Sequence, residues 1–300
     1  MPAAYPPPMT KNAGPLAKSE RKVALVTGAS AGIGKSIVQR LLADGWTVYG
    51  GARRVDRMAD LLALGAKVLS LDVTSEGSMK AAVDTILVAE GRIDALVNNA
   101  GYGSYGALED VPLTEARRQF EVNVFGLVRL TQLVLPAMRA ARAGTIVNVS
   151  SMGGRLWMPI GGWYHATKHA LEVLSDALRV ETRPFGVRVV VVQPGAIQSE
   201  WAGVAAETLE RTSRRSAYER LARPVLRALR SYAVAGSPHV IAAVVSSAVH
   251  ARWPRRRYAA PMNARVLISI HWLLPEWVWE RLLDGAFRAL GRSSAPAGNG

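Results

Sequence analysis

From Lys22 onward, short apolar runs alternate with longer stretches in which apolar residues recur every three or four positions. The runs Val23–Val26, Val48–Gly51, Val68–Leu71, Ala95–Val97, Thr145–Val149 and Val187–Val192 are apolar on nearly every position and rich in valine. A strand with one wet face alternates; a continuously apolar strand is covered on both faces. Helical periodicity fills the gaps over Ile33–Ala43, Met79–Ala89, Leu113–Ala141 and Trp163–Arg183. The pattern predicts an α/β fold, a doubly wound parallel sheet with helices on both faces. Six units in a row argue for one domain over residues 21–260.

Past Glu200 the alternation stops. Helical patterns cover Thr208–Arg230, Val240–Ala251 and Pro275–Leu290, and Pro224 is expected to kink or split the first. Pro254 and Pro261 bracket a last strand near Tyr258. Residues 261–300 form a helical extension of the same domain, frayed from Ser293. Residues 1–20 carry Pro2, Pro6, Pro7, Pro8 and Pro15 with few aliphatic side chains, which predicts a disordered tail.

Composition narrows the function. Apolar residues make 49% and charged residues 20% of the chain, as in globular domains. There is no cysteine, which excludes disulfides, thiolate zinc sites and cysteine nucleophiles. No metal site is expected. The N-terminus lacks the order of a signal peptide, and the apolar run Val266–Leu274 is too short to span a bilayer, so a cytoplasmic protein is expected. The net charge of +14 favours anionic partners. Arg252, Arg255, Arg256 and Arg257 cluster with Trp253 and Tyr258, but no nucleic-acid-binding motif accompanies them, and nucleic acid is not expected as a partner. Leu267–Leu290 holds Trp272, Trp277 and Trp279. It reads as a lid or membrane-surface helix, or as a packed helix or subunit contact, and the packed reading is favoured.

Candidate chemistry begins directly after the first strand, at Thr27-Gly28-Ala29-Ser30-Ala31-Gly32-Ile33-Gly34. Glycine lets backbone turn tightly and approach a pyrophosphate. A helix opening at Ile33 aims its free N–H groups at the phosphates. A carboxylate about 20 residues further on would bind a ribose 2′-hydroxyl and indicate NAD. The chain has Gly51-Ala52-Arg53-Arg54 there instead. Guanidinium groups suit a 2′-phosphate, so NADP is expected, with Arg53 ahead of Arg54, and NAD is disfavoured. The alternative makes both ordinary first-turn arginines. Asp72-Val73 follows the third strand, as an adenine reader or a helix cap. Asn98-Asn99-Ala100-Gly101 follows the fourth and can tie loop backbones together beside a cofactor.

Tyr164 and Lys168 are four residues apart on one helix face, and Ser151 lies thirteen residues before the tyrosine. A nearby ammonium is expected to lower the phenol's pKa from about 10. Tyr164 would then exchange a proton with an alkoxide or alcohol. Ser151, or its neighbour Ser150, sits at a C-terminal strand end and could hold a carbonyl oxygen. Together with the glycine turn, this predicts hydride transfer between a nicotinamide and a carbonyl or alcohol.

These motifs resemble the short-chain dehydrogenase/reductase family in its single-domain form, over residues 21–260. The resemblance implies a seven-stranded sheet and a catalytic set of Asn123, Ser151, Tyr164 and Lys168. Asn123 would support a water that relays protons from Lys168. Cofactor contacts would come from Gly28, Ser30, Ala31, Gly32, Ile33, Gly34, Asn99, Ala100, Gly101, Tyr164 and Lys168. Pro194-Gly195 follows the sixth strand as in the family; Ile197 is the carboxamide candidate, and Ser199 stands where the family usually has threonine. The resemblance also implies a homodimer or homotetramer through Leu113–Ala141 and Trp163–Arg183. The C-terminal part is similar to the steroid- and retinol-dehydrogenase branch.

Candidate pocket residues are Tyr102, Tyr105, Met152, Trp157, Trp163 and Trp201, with Ser151 and Tyr164. All but the serine are apolar or aromatic, so an apolar ketone, aldehyde or secondary alcohol is the expected substrate. Core packing is the alternative for the aromatics. A non-catalytic NADP sensor and an NAD-dependent alcohol dehydrogenase of the same fold are the alternative functions.

Overall fold

The computed structural model describes residues 21–231 and 235–292. The expected tail at 1–20 and frayed end from Ser293 lie outside them. In chain order the strands are β1 (Val23–Thr27), β2 (Thr47–Ala52), β3 (Lys67–Ser70), β4 (Ala95–Asn98), β5 (Gly144–Val149), β6 (Val187–Pro194) and β7 (Arg257–Ala260). Helices α1 (Gly32–Ala43), α2 (Ala59–Ala63), α3 (Glu76–Glu90), α4 (Leu113–Phe120), α5 (Gly126–Ala140) and α6 (Gly162–Thr182) alternate with them. After β6 come α7 (Glu200–Ser213), α8 (Glu219–Ser231), α9 (Pro238–His250), α10 (Met262–Leu273) and α11 (Glu276–Arg292).

All seven strands pair in parallel, in the order β3-β2-β1-β4-β5-β6-β7. The order reverses between β1 and β4, so the loops leaving these two strands diverge and open a crevice at their C-terminal ends. The six predicted strands and the one near Tyr258 all form. Valine-rich strands make the centre because both faces are covered. On one face Ile37, Val38, Leu41, Ile241, Val245 and Val249 of α1 and α9 close over the sheet. Met79, Val83, Ile86, Leu130, Val134 and Met138 of α3 and α5 close the other. A third cluster, Tyr105, Ile160, Tyr164, Ala205, Leu209 and Ala222, lies apart from the sheet.

One predicted helix forms with a π-helical turn inside it, and another is broken. The pattern over Leu113–Ala141 is α4, a π-helical turn at Glu121–Phe125, and α5. This stretch is long and apolar enough to cross a membrane by composition, yet it buries Leu127, Leu130, Val134 and Met138 in the core. The pattern over Thr208–Arg230 splits at 214–218, and Pro224 lies buried inside α8. Tertiary bonds decide that break. The Ser213 hydroxyl donates to Asp110 Oδ2 at 2.6 Å and accepts from the Ala107 N–H at 3.1 Å, which pins the end of α7. The Ser216 hydroxyl then accepts the Tyr218 N–H at 3.1 Å as α8 approaches.

Candidate active site

The turn after β1 is shaped by glycines with little room. Gly28 and Gly32 have φ of 68° and 54°, in the left-handed region. A Cβ on Gly34 would stand 2.2 Å from the Gly28 carbonyl oxygen and 2.5 Å from Asn99 Nδ2. Thr27 and Asn99 tie the turn to the loop after β4. The Thr27 hydroxyl accepts the N–H groups of Asn99 and Ala100 at 3.0 and 2.9 Å, and Asn99 Nδ2 donates to the Thr27 carbonyl at 2.9 Å. No side chain caps α1, whose N-cap Ala31 is extended. Its first N–H groups therefore face the crevice, which suits a pyrophosphate.

Beyond the turn the cations gather. A cleft of about 500 Å³ is lined by Ser30, Gly32, Lys35, Arg57, Ser199 and Glu200, among others. Arg54 Nη2 donates to Glu200 Oε2 at 2.8 Å, and Arg57 Nη1 to Glu200 Oε1 at 2.6 Å. Of the two arginines expected to meet a 2′-phosphate, Arg54 is thus engaged with a carboxylate, and Arg53 forms no hydrogen bond or ion pair with a described residue. Sequence reasoning missed Arg57 and Glu200. The readable signal was Glu200 following Ser199, an acid placed next to a cation-rich cofactor loop.

Asp72 caps its own turn, accepting from the Thr74 N–H and hydroxyl at 2.9 and 2.8 Å. Burial pushes its carboxyl up; these bonds, with Arg53 and Arg118, outweigh that and hold it below the usual range. The cap of α3 is Ser75, whose hydroxyl accepts the Ser78 N–H at 3.3 Å, so Asp72 braces the turn before the helix rather than capping the helix. Val73 is buried beside it.

The catalytic candidates converge where β4, β5 and α6 meet. Ser151 caps a short 3-10 turn, its hydroxyl accepting the Gly153 N–H at 3.1 Å. Tyr164 is buried on α6, its phenol near enough to Ser151 for the serine to oppose the effect of burial on its pKa. Lys168 lies one turn on, its Nζ donating to the Val149 carbonyl at 2.9 Å and standing 5.9 Å from the centre of the Tyr164 ring. Asn123 sits inside the π-helical turn, the local irregularity that its poor helix propensity matches. Its Oδ1 accepts the Tyr102 N–H at 3.0 Å, and its Nδ2 donates to the Tyr102 carbonyl at 2.9 Å and to Thr167 Oγ1 at 3.1 Å. A Cβ on Gly101 would stand 3.1 Å from Asn123 Oδ1 and 3.8 Å from Lys168 Nζ. Ser150 is buried and points away toward Gly154.

One electrostatic expectation fails. Burial pushes the Tyr164 phenol up to about 12, against a smaller lowering by the Ser151 hydrogen bond. Lys168 is not among the groups that offset this rise; burial depresses its own ammonium to about 8, with Glu172 opposing. Glu172 is buried, accepting from Gln193 Nε2 at 2.9 Å and Arg257 Nε at 2.8 Å. Burial thus favours the protonated form of Tyr164, the form that can give a proton.

A family model for short chain dehydrogenase matches residues 22–210. The chain belongs to the short-chain dehydrogenase family. It is 42% identical over 174 residues to a 3-ketodihydrosphingosine reductase of Bacteroides thetaiotaomicron, covering 58% of this chain and 63% of that one. An NADPH-dependent 3-dehydrocapnine reductase of Ornithobacterium rhinotracheale is 32% identical over 276 residues, 89% of this chain and 96% of that one. A short-chain dehydrogenase structure from Streptomyces avermitilis superposes with a TM-score of 0.76 at 34% identity, covering 92% and 99% of the two chains. Similar structures include actinorhodin polyketide ketoreductase with NADPH (TM-score 0.72, 28% identity, 83% and 99% covered). A 3-ketoacyl-(acyl-carrier-protein) reductase from Brucella melitensis with NADH also matches (TM-score 0.69, 25% identity, 81% and 97% covered). This short-chain dehydrogenase is accordingly an oxidoreductase of CH–OH and C=O groups.

Around its tyrosine the aromatic candidates divide. Trp201 and Tyr105 face Tyr164, with ring centroids 5.0 and 5.8 Å away. His165 closes the same cluster, its Nδ1 paired with the Gly153 carbonyl at 2.9 Å. Trp157 instead turns to α11, donating from Nε1 to Glu276 Oε1 at 2.5 Å and accepting from Trp279 Nε1 at 3.2 Å on its carbonyl. Trp163 stacks edge-on against Phe120, and Tyr102 donates to Glu115 Oε1 at 3.0 Å. Those three are not brought to Tyr164, because a helix or extension offers each a nearer partner. Met152 opens the 3-10 turn after Ser151. Downstream, the Gly195 N–H bonds the Ala260 carbonyl at 2.9 Å, so Pro194 and Gly195 close β6 against β7. Ile197 bridges to Gly236, and the Ser199 hydroxyl reaches the Ile197 carbonyl at 3.4 Å.

Proposed function

We propose that this dehydrogenase is an NADP(H)-dependent reductase of apolar ketones or aldehydes, with the reverse oxidation of secondary alcohols open to it at high pH. The observation that carries the reading is the convergence of Ser151, Tyr164 and Lys168 under an aromatic roof. The glycine cradle and uncapped α1 fit a dinucleotide. Arg53, Arg54 and Arg57 with Lys35, and no carboxylate ending β2, fit a 2′-phosphate. A bound nicotinamide would supply the hydride.

The chain's own residues do the rest. Ser151 donates to the carbonyl oxygen and holds it near Tyr164, which delivers the proton as charge develops there. Lys168 restores the proton balance, and Asn123 fixes the loop that faces it. Trp201 and Tyr105 exclude water and give the substrate an apolar wall. A ketone substrate is supported by the names of two relatives, both reductases of oxidised carbon.

A cytoplasmic homodimer or homotetramer completes the reading. Phe125, Val173 and Val180 on the π-helical turn and α6 are apolar and exposed, as a subunit contact would use. Fluorescence titration with NADPH and NADH tests the cofactor. NADPH should bind more tightly, and Arg53→Asp should remove the difference. Tighter NADH binding would overturn the NADP assignment, and turnover of no apolar carbonyl with either cofactor would overturn the substrate class.

A further inference from the structure

Outside the glycine-rich turn, two cations share one anion. Lys35 is served locally by Asp60 at 2.8 Å. Arg54 and Arg57 instead converge on Glu200, which lies more than 140 residues away in sequence, 146 from Arg54 and 143 from Arg57. Each carboxylate oxygen takes one guanidinium, and Arg54 also approaches Ser30 Oγ at 3.4 Å. The hydrogen bond from Arg54, then the charges of both arginines, hold the Glu200 carboxyl below its usual range. Two guanidinium groups set to grip a pair of oxygens suit a phosphate as well as a carboxylate.

Glu200 is also the first residue of α7, and the next residue, Trp201, lies over Tyr164 with ring centroids 5.0 Å apart. Anchors further along α7 are side-chain bonds to the 105–107 loop. The Thr208 hydroxyl accepts the Tyr105 N–H at 3.1 Å, the Thr212 hydroxyl donates to the Tyr105 carbonyl at 3.1 Å, and the Ser213 hydroxyl accepts the Ala107 N–H. The N-terminal end of α7 is thus held at the arginines, its C-terminal end at the loop.

We propose that Glu200 is a built-in anion that occupies Arg54 and Arg57 until a 2′-phosphate displaces it, and that this exchange frees the start of α7 and lifts Trp201 from Tyr164. The inference rests on the NADP reading above. Glu200 and both arginines are about half exposed, so the resident ion pairs are individually weak and exchangeable. A phosphate carries more charge than the carboxylate it replaces and wins both arginines. A dinucleotide without that group has no differential interaction with the two arrangements and leaves the latch closed. Glu200 thereby makes the entry to the tyrosine depend on which cofactor has arrived.

The probes are adenosine 2′,5′-bisphosphate and adenosine 5′-monophosphate, titrated into the full chain with tryptophan emission as the readout. The bisphosphate should change the emission, the monophosphate should not, and Trp201→Phe should lose the change while still binding. Glu200→Gln should bind the bisphosphate about threefold to tenfold more tightly, the equivalent of two surface ion pairs removed, and its emission without ligand should match the bisphosphate-bound wild type. Unchanged or weaker bisphosphate binding by Glu200→Gln overturns the proposal, since Glu200 would then clasp over the ligand or stand aside. That result leaves the NADP reading intact if wild type still prefers the bisphosphate. Equal binding of both probes by wild type overturns the NADP reading, and the latch with it.

Discussion

The glycine-rich turn and the α7–α8 cap face the same crevice and are held in opposite ways. Backbone holds the turn: Gly34 has no space for a Cβ, and Thr27 and Asn99 stitch β1 to the loop after β4. The cap is held by a few side chains: Thr208, Thr212 and Ser213 bond one loop, Leu209 and Ala222 are buried, and its leading end rests on exposed ion pairs. A turn built into two central strands cannot shift without disturbing the sheet. A cap packed on its own small cluster, apart from the sheet, can open locally at a fraction of the global unfolding free energy.

The sharpest cut separates chemistry from both regions. Tyr164→Phe should reduce turnover by about 10²–10⁴-fold with NADPH affinity unchanged, read by steady-state reduction and fluorescence titration. A fall in affinity instead would mean the phenol also shapes the cofactor site. Next comes packing. Leu130→Ala in the core should cost about 2–5 kcal/mol in urea unfolding. Leu209→Ala in the cap should cost clearly less and show as faster proteolysis near Arg214. Equal losses would make the cap one cooperative unit with the core and break the contrast.

Gly34→Val tests the turn. Its Cβ meets backbone rather than a flexible side chain, so a loss of about 1–3 kcal/mol should be accompanied by loss of dinucleotide binding. Intact binding would show that the turn yields. Trp201→Ala removes the roof and should raise KM for apolar carbonyls by an amount equivalent to about 0.5–1.5 kcal/mol, with cofactor binding unchanged.

The smallest effect is a pH dependence. Lys168 titrates near 8 in the folded chain against 10.5 for the free side chain, so the unfolded state binds more protons between those values. Stability contributed by this residue therefore rises with pH across that window, on the order of 1 kcal/mol between about pH 7.5 and 9.5. The raised Tyr164 value works in the opposite sense only above pH 10. Urea unfolding of wild type and Lys168→Met checks it: the variant should show the flatter profile, and a steeper one would refute the buried-lysine account.

Legibility followed the same divide. The strands were readable because a two-sided burial environment demands valine and isoleucine on successive positions. Ser151, Tyr164 and Lys168 were readable because a strand end and a helix turn fix their spacing. What misled was everything that depends on a distant partner. Trp157 read as pocket and turned to Glu276, and Arg54 read as a ligand of a 2′-phosphate and found Glu200. Pro224 read as the break, which Ser213 and Asp110 set elsewhere. The tyrosine's pKa went the wrong way because the spacing shows the lysine's charge but hides the burial of both groups.

By itself the sequence determined the sheet, the glycine turn and the spacing of the proton-transfer residues, since local sterics and helical or strand period dictate these within a few residues. Only the tertiary structure decided which carboxylate takes the arginines, which aromatic roofs Tyr164 and how far burial shifts its proton. Those outcomes turn on partners well separated in sequence and on desolvation, which no local pattern encodes.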